Sequence, residues 1–564
     1  MKYNWVIEYS HLFDDYKEID IYILLEEVPP KGIINIICYL DKLLFIHGNS
    51  MDMQIGYLKE LIYSFPDHLK KLIEEKLSNQ IGKVNNIIIW NNLTNLELAN
   101  YALVSTNKVQ EFELTKEQKI KFFKAYLYYN EKHTSKQKNN LPENTVPSLK
   151  EYLSVYIQTQ LAQQTINVSS IIAIEIYKSY SLFEFLESNV ENNELLNKFL
   201  NLHNVSNSQQ YLTNILKFIL IHYKEKNYIQ VKININDFTM LNRIIKPFLI
   251  NEINIGENSD FKKIREYPIY KIDESNYTVI NINFLIDKIF NGIQFTLSKI
   301  AEENNITISK RKTNTYSDFK SIYSEVFSEK YLFIKIMQKC FYKNNSLFHL
   351  ENELKEKTKV DNGHPDLIIR NGNNIFLFEF KDSITPSSVI HSYEFRIIQK
   401  EIEKKFAKFT KPKGIGQLVK CIASIEDGKY KSINIHSEKI NIYPILVFTD
   451  KTLKINGFNY LLNQLFKEKT AQFKKIKKVN ELIIIHLDTF IILQDYFNNN
   501  KIKFKTIIDN FLKKRRLKRS NEDISKEFSR VSERIDEVLI NSVNYKNETN
   551  PQFIEEIRNK LYQN

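Results

Sequence analysis

The stretch "GHPDLIIRNGNNIFLFEFKD", residues 363–382, holds two short apolar runs around the turn sequence NGNN. This pattern predicts a β-hairpin with strands over Pro365–Arg370 and Ile375–Lys381. Because alternate side chains of a strand share a face, the three phenylalanines of the second strand lie on one face. Glu379 and Lys381 lie on the other, where a buried strand should carry no charge. The hairpin therefore predicts a core face and a face that ends in an acid and a base.

Two registers of this hairpin place Asp366 on the same face as Glu379. If the turn is Gly372-Asn373, Asp366 lies directly opposite Glu379, with Cβ atoms about 5 Å apart. If the turn is Asn371-Gly372, the stronger hairpin signal, Asp366 opposes Leu377 and lies about 7–8 Å from Glu379. Only a shift by one residue would move Asp366 to the phenylalanine face. Both registers predict a cluster of two carboxylates and one ammonium group.

Such a cluster predicts a metal site. Two close carboxylates repel each other unless a cation or a proton lies between them. Oxygen ligands suit Mg²⁺ or Mn²⁺, and Lys381 could orient or deprotonate a water molecule held by the ion. These groups fit metal-assisted hydrolysis of a phosphodiester. The alternative is a salt-bridged cluster on a solvent-facing sheet, because a chain with 26% charged residues matches the bare pattern often.

Two flanking segments add candidate residues. The apolar spacing of Asp318–Phe341 predicts a helix whose buried stripe includes Glu329, with Glu325 near its edge as the alternative. A carboxylate on an apolar face is costly unless it has a partner. Downstream, residues 411–425 predict a helix after the glycines, with Gln417 near its start. An amide there could hold a water molecule or a phosphate oxygen.

The predicted order is a helix with a buried glutamate, the strand "SLFHLENEL" (346–354), the hairpin, a helix with a glutamine, and the strand "IYPILVFT" (442–449). Over about residues 316–450 this resembles the PD-(D/E)XK nuclease superfamily, whose restriction-endonuclease-like common core is αβββαβ. The residues that carry the resemblance are Glu329, Pro365-Asp366, Glu379-Phe380-Lys381 and Gln417. A long helical insertion at 382–410 departs from the family's pattern.

The resemblance implies roles for these residues. Asp366, Glu379, the Phe380 carbonyl and Glu329 would hold Mg²⁺ or Mn²⁺. Lys381 would serve the attacking water, and Gln417 would support the site. The resemblance further implies a Mg²⁺-dependent DNA endonuclease in bacterial defence against phage or foreign DNA. A ribonuclease with the same site and an inactive nuclease-fold binding or scaffold protein are the alternatives.

The 564 residues, 43% of them hydrophobic, indicate several domains in a mixed α/β chain. The predicted division is a small α/β unit, a helical region, the nuclease domain with an N-terminal extension, and a basic helical tail, at 1–110, 111–255, 256–500 and 501–564. Strands are predicted within the first unit for "WVIEYS" (5–10), "IDIYILLEE" (19–27), "IINIICYL" (33–40) and "LLFIHG" (43–48), and late in the chain for "ELIIIHLDTFIIL" (481–493). His364 is interpreted as part of a turn, and His486 and Asp488 as packing residues.

Positive charge is concentrated in the C-terminal third. Segments 399–413, 466–478 and 501–519 carry net charges of +4, +5 and +8, whereas the whole chain carries +12. Such clustering indicates a polyanionic partner, with DNA favoured over RNA. The predicted phosphate-binding residues are Lys513, Lys514, Arg515, Arg516, Lys518 and Arg519. The apolar stripe of 521–540 predicts a helix for pairing with a second copy or with a partner subunit of a defence system.

Several other classes of protein are disfavoured. The chain contains no G-x-x-x-x-G-K-[ST] phosphate loop and no G-x-G-x-x-G motif. Its three cysteines are far apart, which argues against a disulfide framework and a thiolate zinc site. No signal peptide is evident, and no apolar run approaches the ~20 residues of a membrane helix. We therefore expect a soluble cytoplasmic protein that does not bind membranes.

Overall fold

The computed structural model describes the chain except residues 1–3, 17–18, 106–110, 139–147, 165–170, 225–244, 251–260, 274–275, 343–346, 359, 361–362, 500–502, 517–522, 544–551 and 563–564. The protein is mixed α/β and 64% helical. It divides into two compact units, one of residues 1–140 with 198–294 and one of residues 141–197 with 295–564. The predicted domain boundaries stay a prediction. Among the described residues, no helix combines the length and apolar character needed to cross a membrane.

The first unit consists mainly of helices, with two pairs of three-residue strands. Asn4–Val6 pairs in parallel with Asn86–Ile88, and Ile269–Lys271 pairs antiparallel with Tyr277–Val279. The helices are Ile21–Leu25, Pro30–His47, Met51–Ile62, Asp67–Ser78, Asn92–Val104, Lys116–Lys138, Ser208–Lys224, Lys262–Glu266 and Ile282–Asp287. Two further helices, Asn193–Leu202 and Asn291–Asn304, contain points at which the chain passes between the units.

Three of the strands predicted for residues 1–110 are wrong. Residues 19–27, 33–40 and 43–48 contribute to the helices Ile21–Leu25 and Pro30–His47 instead. The Asp20 carboxylate caps the first of these helices by accepting hydrogen bonds from two backbone amides, and a proline begins the second. Apolar residues occupy most faces of the second helix because it is buried on several sides, so its sequence resembles that of a buried strand.

The second unit is built around a mixed six-stranded sheet, which confirms the mixed α/β class. We number its strands β1 to β6: Leu347–Leu350, Leu367–Asn371, Asn374–Lys381, Asn441–Phe448, Lys478–Val479 and Ile483–His486. Strands β1, β2 and β3 are antiparallel neighbours, β4 is parallel to β3, and both β5 and β6 pair in parallel with β4. The carboxyl ends of β3, β4 and β6 therefore meet at one edge of the sheet.

Six helices of this unit bear on the sheet and are named here. They are α1 (316–341), α2 (Glu351–Lys357), α3 (Phe395–Phe406), α4 (Ile415–Glu426), α5 (Leu487–Asn498) and α6 (Phe504–Arg516). The unit also contains four short 3-10 helices, a two-residue strand pair and the α-helices Leu149–Gln164, Ile172–Ser188, Ser387–Ile390, Phe458–Thr470, Ile524–Ser532, Ile535–Asn541 and Gln552–Tyr562. Helices α3 and Ser387–Ile390 lie within the predicted insertion at 382–410.

The β2–β3 hairpin adopts the first of the two predicted registers. Asn371 pairs with Asn374 across a Gly372-Asn373 turn, and Leu367 pairs with Phe378. Gly372 has a φ of +59° at the first central position, where a type II′ turn requires glycine. The alternative Asn371-Gly372 turn is wrong. It would make Gly372 the second central residue, whereas the observed turn has it as the first.

Two predicted strands end earlier than expected. "SLFHLENEL" is a strand only to Leu350, after which α2 begins. "ELIIIHLDTFIIL" is a strand only to His486, and α5 follows at once. The His486 ring nitrogen Nδ1 accepts a hydrogen bond from the Asp488 amide and caps α5. In both segments an apolar run continues through a change from strand to helix, so periodicity alone does not mark the boundary.

Both faces of β3 are covered. On the phenylalanine face, Phe333 of α1 stacks on Phe380 with ring centroids 4.9 Å apart. On the opposite face, Leu377 belongs to a buried apolar cluster with residues of α3 and α4, such as Ile398 and Leu418. Glu379 on that face is 0% exposed. The interpretation of a charged cluster on a solvent-facing sheet is therefore wrong.

The turn generates a first prediction. Gly372→Ala forces a residue with a Cβ into a left-handed conformation and should lower the stability of the second unit by about 1 kcal/mol. Asn373→Ala changes the neighbouring exposed turn residue, whose φ is negative, and should stay within about 0.5 kcal/mol. Thermal unfolding measured by calorimetry compares the two variants. Equal stabilities would contradict the type II′ turn.

Candidate metal centre

Asp366 lies immediately before β2 and is fixed by the partner strand. Its side chain is 7% exposed, and Oδ2 accepts a hydrogen bond of 2.6 Å from the Phe380 amide. This contact is possible because the hairpin register places residue 366 beside the end of β3. Phe380 thus enters the site through its N–H group, and the predicted use of its carbonyl as a metal ligand stays a prediction.

Glu379 and Lys381 form an ion pair on β3, in which the carboxylate is buried and the lysine is half-buried. Lys381 Nζ lies 2.6 Å from Glu379 Oε1, whereas Glu379 Oε2 accepts no hydrogen bond from any residue that the structure describes. Burial and the charge of Asp366 raise the pKa of Glu379 well above its ordinary value. Burial alone would lower the pKa of Lys381, but the carboxylates of Glu379 and Asp366 outweigh it and raise that pKa. The raised pKa favours the ammonium form of Lys381, and its predicted role toward the attacking water stays a prediction.

Three carboxylates converge beside this pair. One oxygen each from Glu329, Glu351 and Asp366 lies within 4.8 Å of the other two. Burial, followed by the charge of Asp366, raises the pKa of Glu329 to about 8. Burial also raises the pKa of Asp366. These shifts have the direction expected for acidic groups that are desolvated together and repel one another.

The chemistry of this donor set fits a hard divalent cation. Carboxylate oxygens are the ligands that Mg²⁺ and Mn²⁺ prefer, and a cation would relieve the repulsion that raises these pKa values. Glu379 Oε2, buried and without a donor among the described residues, is a further available oxygen. Glu329, Glu351 and Asp366 could therefore hold the ion, with Glu379 adjacent to them.

Glu351 was not among the predicted residues. It is the first residue of α2 and follows β1 directly, and its Oε1 lies 2.7 Å from Lys355 Nζ. The sequence signal for Glu351 is an acid at the carboxyl end of β1, the neighbour of β2. The sequence obscures this signal, because the pattern of residues 346–354 predicts one strand with residue 351 in its interior instead of after its end.

Glu325, the alternative to Glu329, lies outside the cluster. It forms ion pairs with Arg311 and Lys330, and its side chain is 40% exposed. Helix α1 changes from α to π geometry over Ser324–Phe333, which widens its turns around Glu329. The structure therefore favours Glu329 over Glu325 as the acid of the cluster.

Asp382 anchors this part of α1 to the sheet. Its carboxylate accepts hydrogen bonds from Ser328 at 2.6 Å, from Ser324 at 3.1 Å and from Thr449 at 2.7 Å. Lys320 Nζ lies 2.8 Å from the same carboxylate. Ser328 directly precedes Glu329, so this contact holds the segment that presents Glu329 against the ends of β3 and β4. Sequence reasoning missed this positioning role.

Gln417 lies in a helix that packs against β3. It is half-buried in the first turn of α4, as predicted, and α4 packs against β3. Cys421 lies one turn further along the same face. Burial, together with the nearby charge of Glu379, raises the pKa of Cys421 to about 12. No hydrogen bond of the Gln417 side chain is present among the described residues, and its supporting role stays a prediction.

The histidines act in packing. His364 is buried, its Nδ1 lies 2.8 Å from the Tyr430 hydroxyl, and its Nε2 lies 2.8 Å from the Val360 carbonyl oxygen. His486 Nε2 lies 2.9 Å from the Thr449 carbonyl oxygen, and Asp488 is paired with Lys178 at 3.1 Å. These contacts agree with the structural interpretation of both histidines and of Asp488.

The predicted phosphate-binding residues do not share one surface. Lys513 and Arg516 line a cavity beside α6, whereas Lys514 pairs with Glu533 at 2.8 Å. Arg515 is 6% exposed, with its guanidinium 5.3 Å from the centroid of the Phe511 ring. Lys513 and Arg516 share a face of the helix because they are three residues apart, whereas Lys514 and Arg515 lie on other faces, so the basic run does not form one continuous patch. The predicted residues Lys518 and Arg519 lie outside the described residues.

No protein-family model, no curated protein and no solved structure matches this chain. Its function is therefore inferred from the residues of the site and their geometry.

The Asp382 contacts generate a second prediction. Asp382→Ala removes the carboxylate that Lys320, Ser328 and Thr449 contact and should lower stability by about 3 kcal/mol. Asp427→Ala removes an exposed aspartate after α4 and should change stability by less than about 0.5 kcal/mol. Thermal unfolding is the measurement. A similar small effect of both substitutions would show that Asp382 does not anchor α1.

The position of Glu351 generates a third prediction. Glu351→Gln removes one negative charge with little change in shape and should weaken Mn²⁺ binding about tenfold. Glu356→Gln makes the same change at an exposed position of α2 and should leave Mn²⁺ affinity unchanged. Titration followed by electron paramagnetic resonance measures the free ion. Equal affinities of the two variants would exclude Glu351 from the metal centre.

Proposed function

We propose that this protein is a Mg²⁺- or Mn²⁺-dependent hydrolase of phosphodiester bonds in nucleic acid, an endonuclease whose substrate is DNA in preference to RNA. The observation that carries the proposal is the convergence of Asp366, Glu329 and the Glu379–Lys381 pair at one edge of the sheet. The observed order of helix α1, three antiparallel strands with the short helix α2 after the first of them, further helices and a parallel strand supports the resemblance to PD-(D/E)XK nucleases. That resemblance also supports a role in bacterial defence.

In this proposal the carboxylates of the cluster would bind the metal, and Lys381 would stabilise charge on the substrate. Asp366, Glu329 and Glu351 would hold the ion, with Glu379 beside them. The ion, when bound, supplies polarisation of a phosphodiester oxygen and a water molecule of lowered pKa. Lys381 donates hydrogen bonds as an ammonium and stabilises the negative charge that develops on the phosphate oxygens. Glu379 holds Lys381 in place through their 2.6 Å contact.

Burial strengthens these electrostatic contributions. Glu379 is fully enclosed between β3 and the helices on its face, where the effective dielectric is lower than in water. A fixed ammonium in such surroundings stabilises developing negative charge without having to reorient. The Phe380 amide fixes Asp366 in the same way, through a backbone group that cannot change its rotamer.

Cleavage by the purified chain tests the proposal and is the fourth prediction. Supercoiled plasmid and mixed RNA are incubated with Mg²⁺, Mn²⁺ or EDTA. We expect cutting that needs the metal and falls at least about 100-fold in Lys381→Ala, because a preorganised charge is lost. Lys83→Ala removes an exposed lysine of the first unit and should cut like the original protein.

Two outcomes would contradict the proposal. Cutting that survives Lys381→Ala would show that the activity arises elsewhere. An absence of cutting, combined with Mn²⁺ binding that is equal in the original protein and in Asp366→Asn, would show that the cluster is not a metal centre. Cutting of RNA alone would keep the chemistry and correct the substrate.

A further inference from the structure

A lysine of the first unit is buried without a counter-ion. Lys288 directly follows the helix Ile282–Asp287, and 8% of its surface is exposed. In the part of the chain that the structure describes, no carboxylate forms an ion pair with its ammonium group and no side-chain hydrogen bond reaches it. Lysines are almost never buried unless they are paired, because an unpaired buried charge is costly. Lys288 therefore has an amine that no ion pair holds in the charged form.

Aromatic side chains lie beside this amine. Lys288 Nζ lies 5.9 Å from the centroid of the Phe248 ring, and His203 stacks on Phe248 with ring centroids 5.4 Å apart. Tyr211 donates a hydrogen bond of 2.8 Å to the Lys288 carbonyl oxygen. Phe199 contacts both His203 and Tyr211, with centroids 4.7 and 4.9 Å away. All four rings are buried, so the effective dielectric around the amine is lower than in water.

The charged groups near Lys288 do not offset its burial. Asp287 and Glu266 act to raise the pKa of the amine and Arg265 acts to lower it, but burial is the largest effect. The pKa of Lys288 is lowered to about 8. Burial and the Lys288 charge lower the pKa of His203 to about 3, so that ring is neutral. Near pH 8, about half of the Lys288 side chains therefore carry a neutral amine, whereas an ordinary lysine is almost entirely charged.

The amine nitrogen keeps some accessible surface. Among the described residues, His203 Nε2 is an enclosed atom without a hydrogen-bond partner, whereas Lys288 Nζ is not enclosed to that degree. Gly292 leaves space for the lysine stem, since a Cβ at that position would lie 2.9 Å from Lys288 Cδ. The small exposed fraction admits a small reagent and excludes a large one, such as an acyl group on a carrier protein.

A neutral, desolvated amine is a nucleophile, and its conversion into an amide removes the charge that burial disfavours. An aldehyde fits less well, because a protonated imine keeps the positive charge. We infer that the Lys288 amine beside Phe248 is a site of Nε-acylation by a small activated acyl donor of the acyl phosphate class. The site belongs to the first unit, whereas the residues of the proposed hydrolysis belong to the second, so the inference does not depend on that hydrolysis.

The acylation step needs no oxidant or reductant. The Nζ lone pair attacks the acyl carbon, and a C–N bond forms. The bond from the acyl carbon to the phosphate oxygen breaks, and phosphate leaves with the electron pair of that bond. Nζ loses one proton to water, and the product is a neutral secondary amide with inorganic phosphate.

Acetyl phosphate is the probe, and the full chain is the substrate. Peptide mass spectrometry measures the acetylated fraction of each lysine over time. At about pH 8, Lys288 should react at least about tenfold faster than Lys59, an exposed lysine of the helix Met51–Ile62, because a larger fraction of its amine is neutral. The rate at Lys288 should rise with pH up to about 8 and then level off, whereas that of an ordinary lysine keeps rising toward about pH 10.4.

Lys288→Met gives a second measurement that does not depend on the reagent. It replaces the buried ammonium with an apolar side chain of similar length and should raise the melting temperature by a few degrees. Lys59→Met makes the same change at an exposed position and should leave the melting temperature unchanged. The inference is overturned if Lys288 reacts no faster than Lys59. It is also overturned if Lys288→Met lowers the melting temperature, because the charged lysine would then be stabilised where it lies.

Discussion

The hydrogen bond from the Phe380 amide to Asp366 makes the composition of the candidate site depend on the register of the hairpin. It exists only when residue 366 lies beside the end of β3, and the Gly372 turn sets that register. A slip by one residue would reverse every side chain of β2, placing Asp366 among the phenylalanines. The carboxylate cluster depends on this one alignment, because the alignment brings Asp366 to the end of β3 that carries Glu379.

The pKa values of the clustered acids are raised because helices cover both faces of the sheet. Helix α1 lies on one face and α3 and α4 on the other, so the acids at the end of β3 lose most of their contact with water. Four carboxylates then lie close together, and two ammonium groups are paired with them, Lys381 with Glu379 and Lys355 with Glu351. This crowding raises the pKa values of Glu329, Asp366 and Glu379, and a bound divalent cation would stabilise the ionised form of all these acids together.

The hairpin, its faces and its partner helices could be predicted because each follows from a short-range rule. Alternation in β3 placed Glu379 and Lys381 on one face, and helical spacing placed Glu329 toward the core. Glu351 could not be found, because a continuous apolar run conceals the change from β1 to α2. The basic run 513–516 shows the same limit of sequence reasoning, because consecutive basic residues do not reveal that the Arg515 side chain is buried.

The π geometry of α1 has a consequence for sequence comparison. A π turn holds one residue more than an α turn, so residues before and after Ser324–Phe333 are out of phase by about one position. A homologous helix without the extra residue would keep the Lys320 contact to Asp382 before this segment and the Phe341 contact to Phe378 of β3 after it. It would nevertheless present a different side chain where Glu329 stands, so an alignment without a gap would misassign the acid.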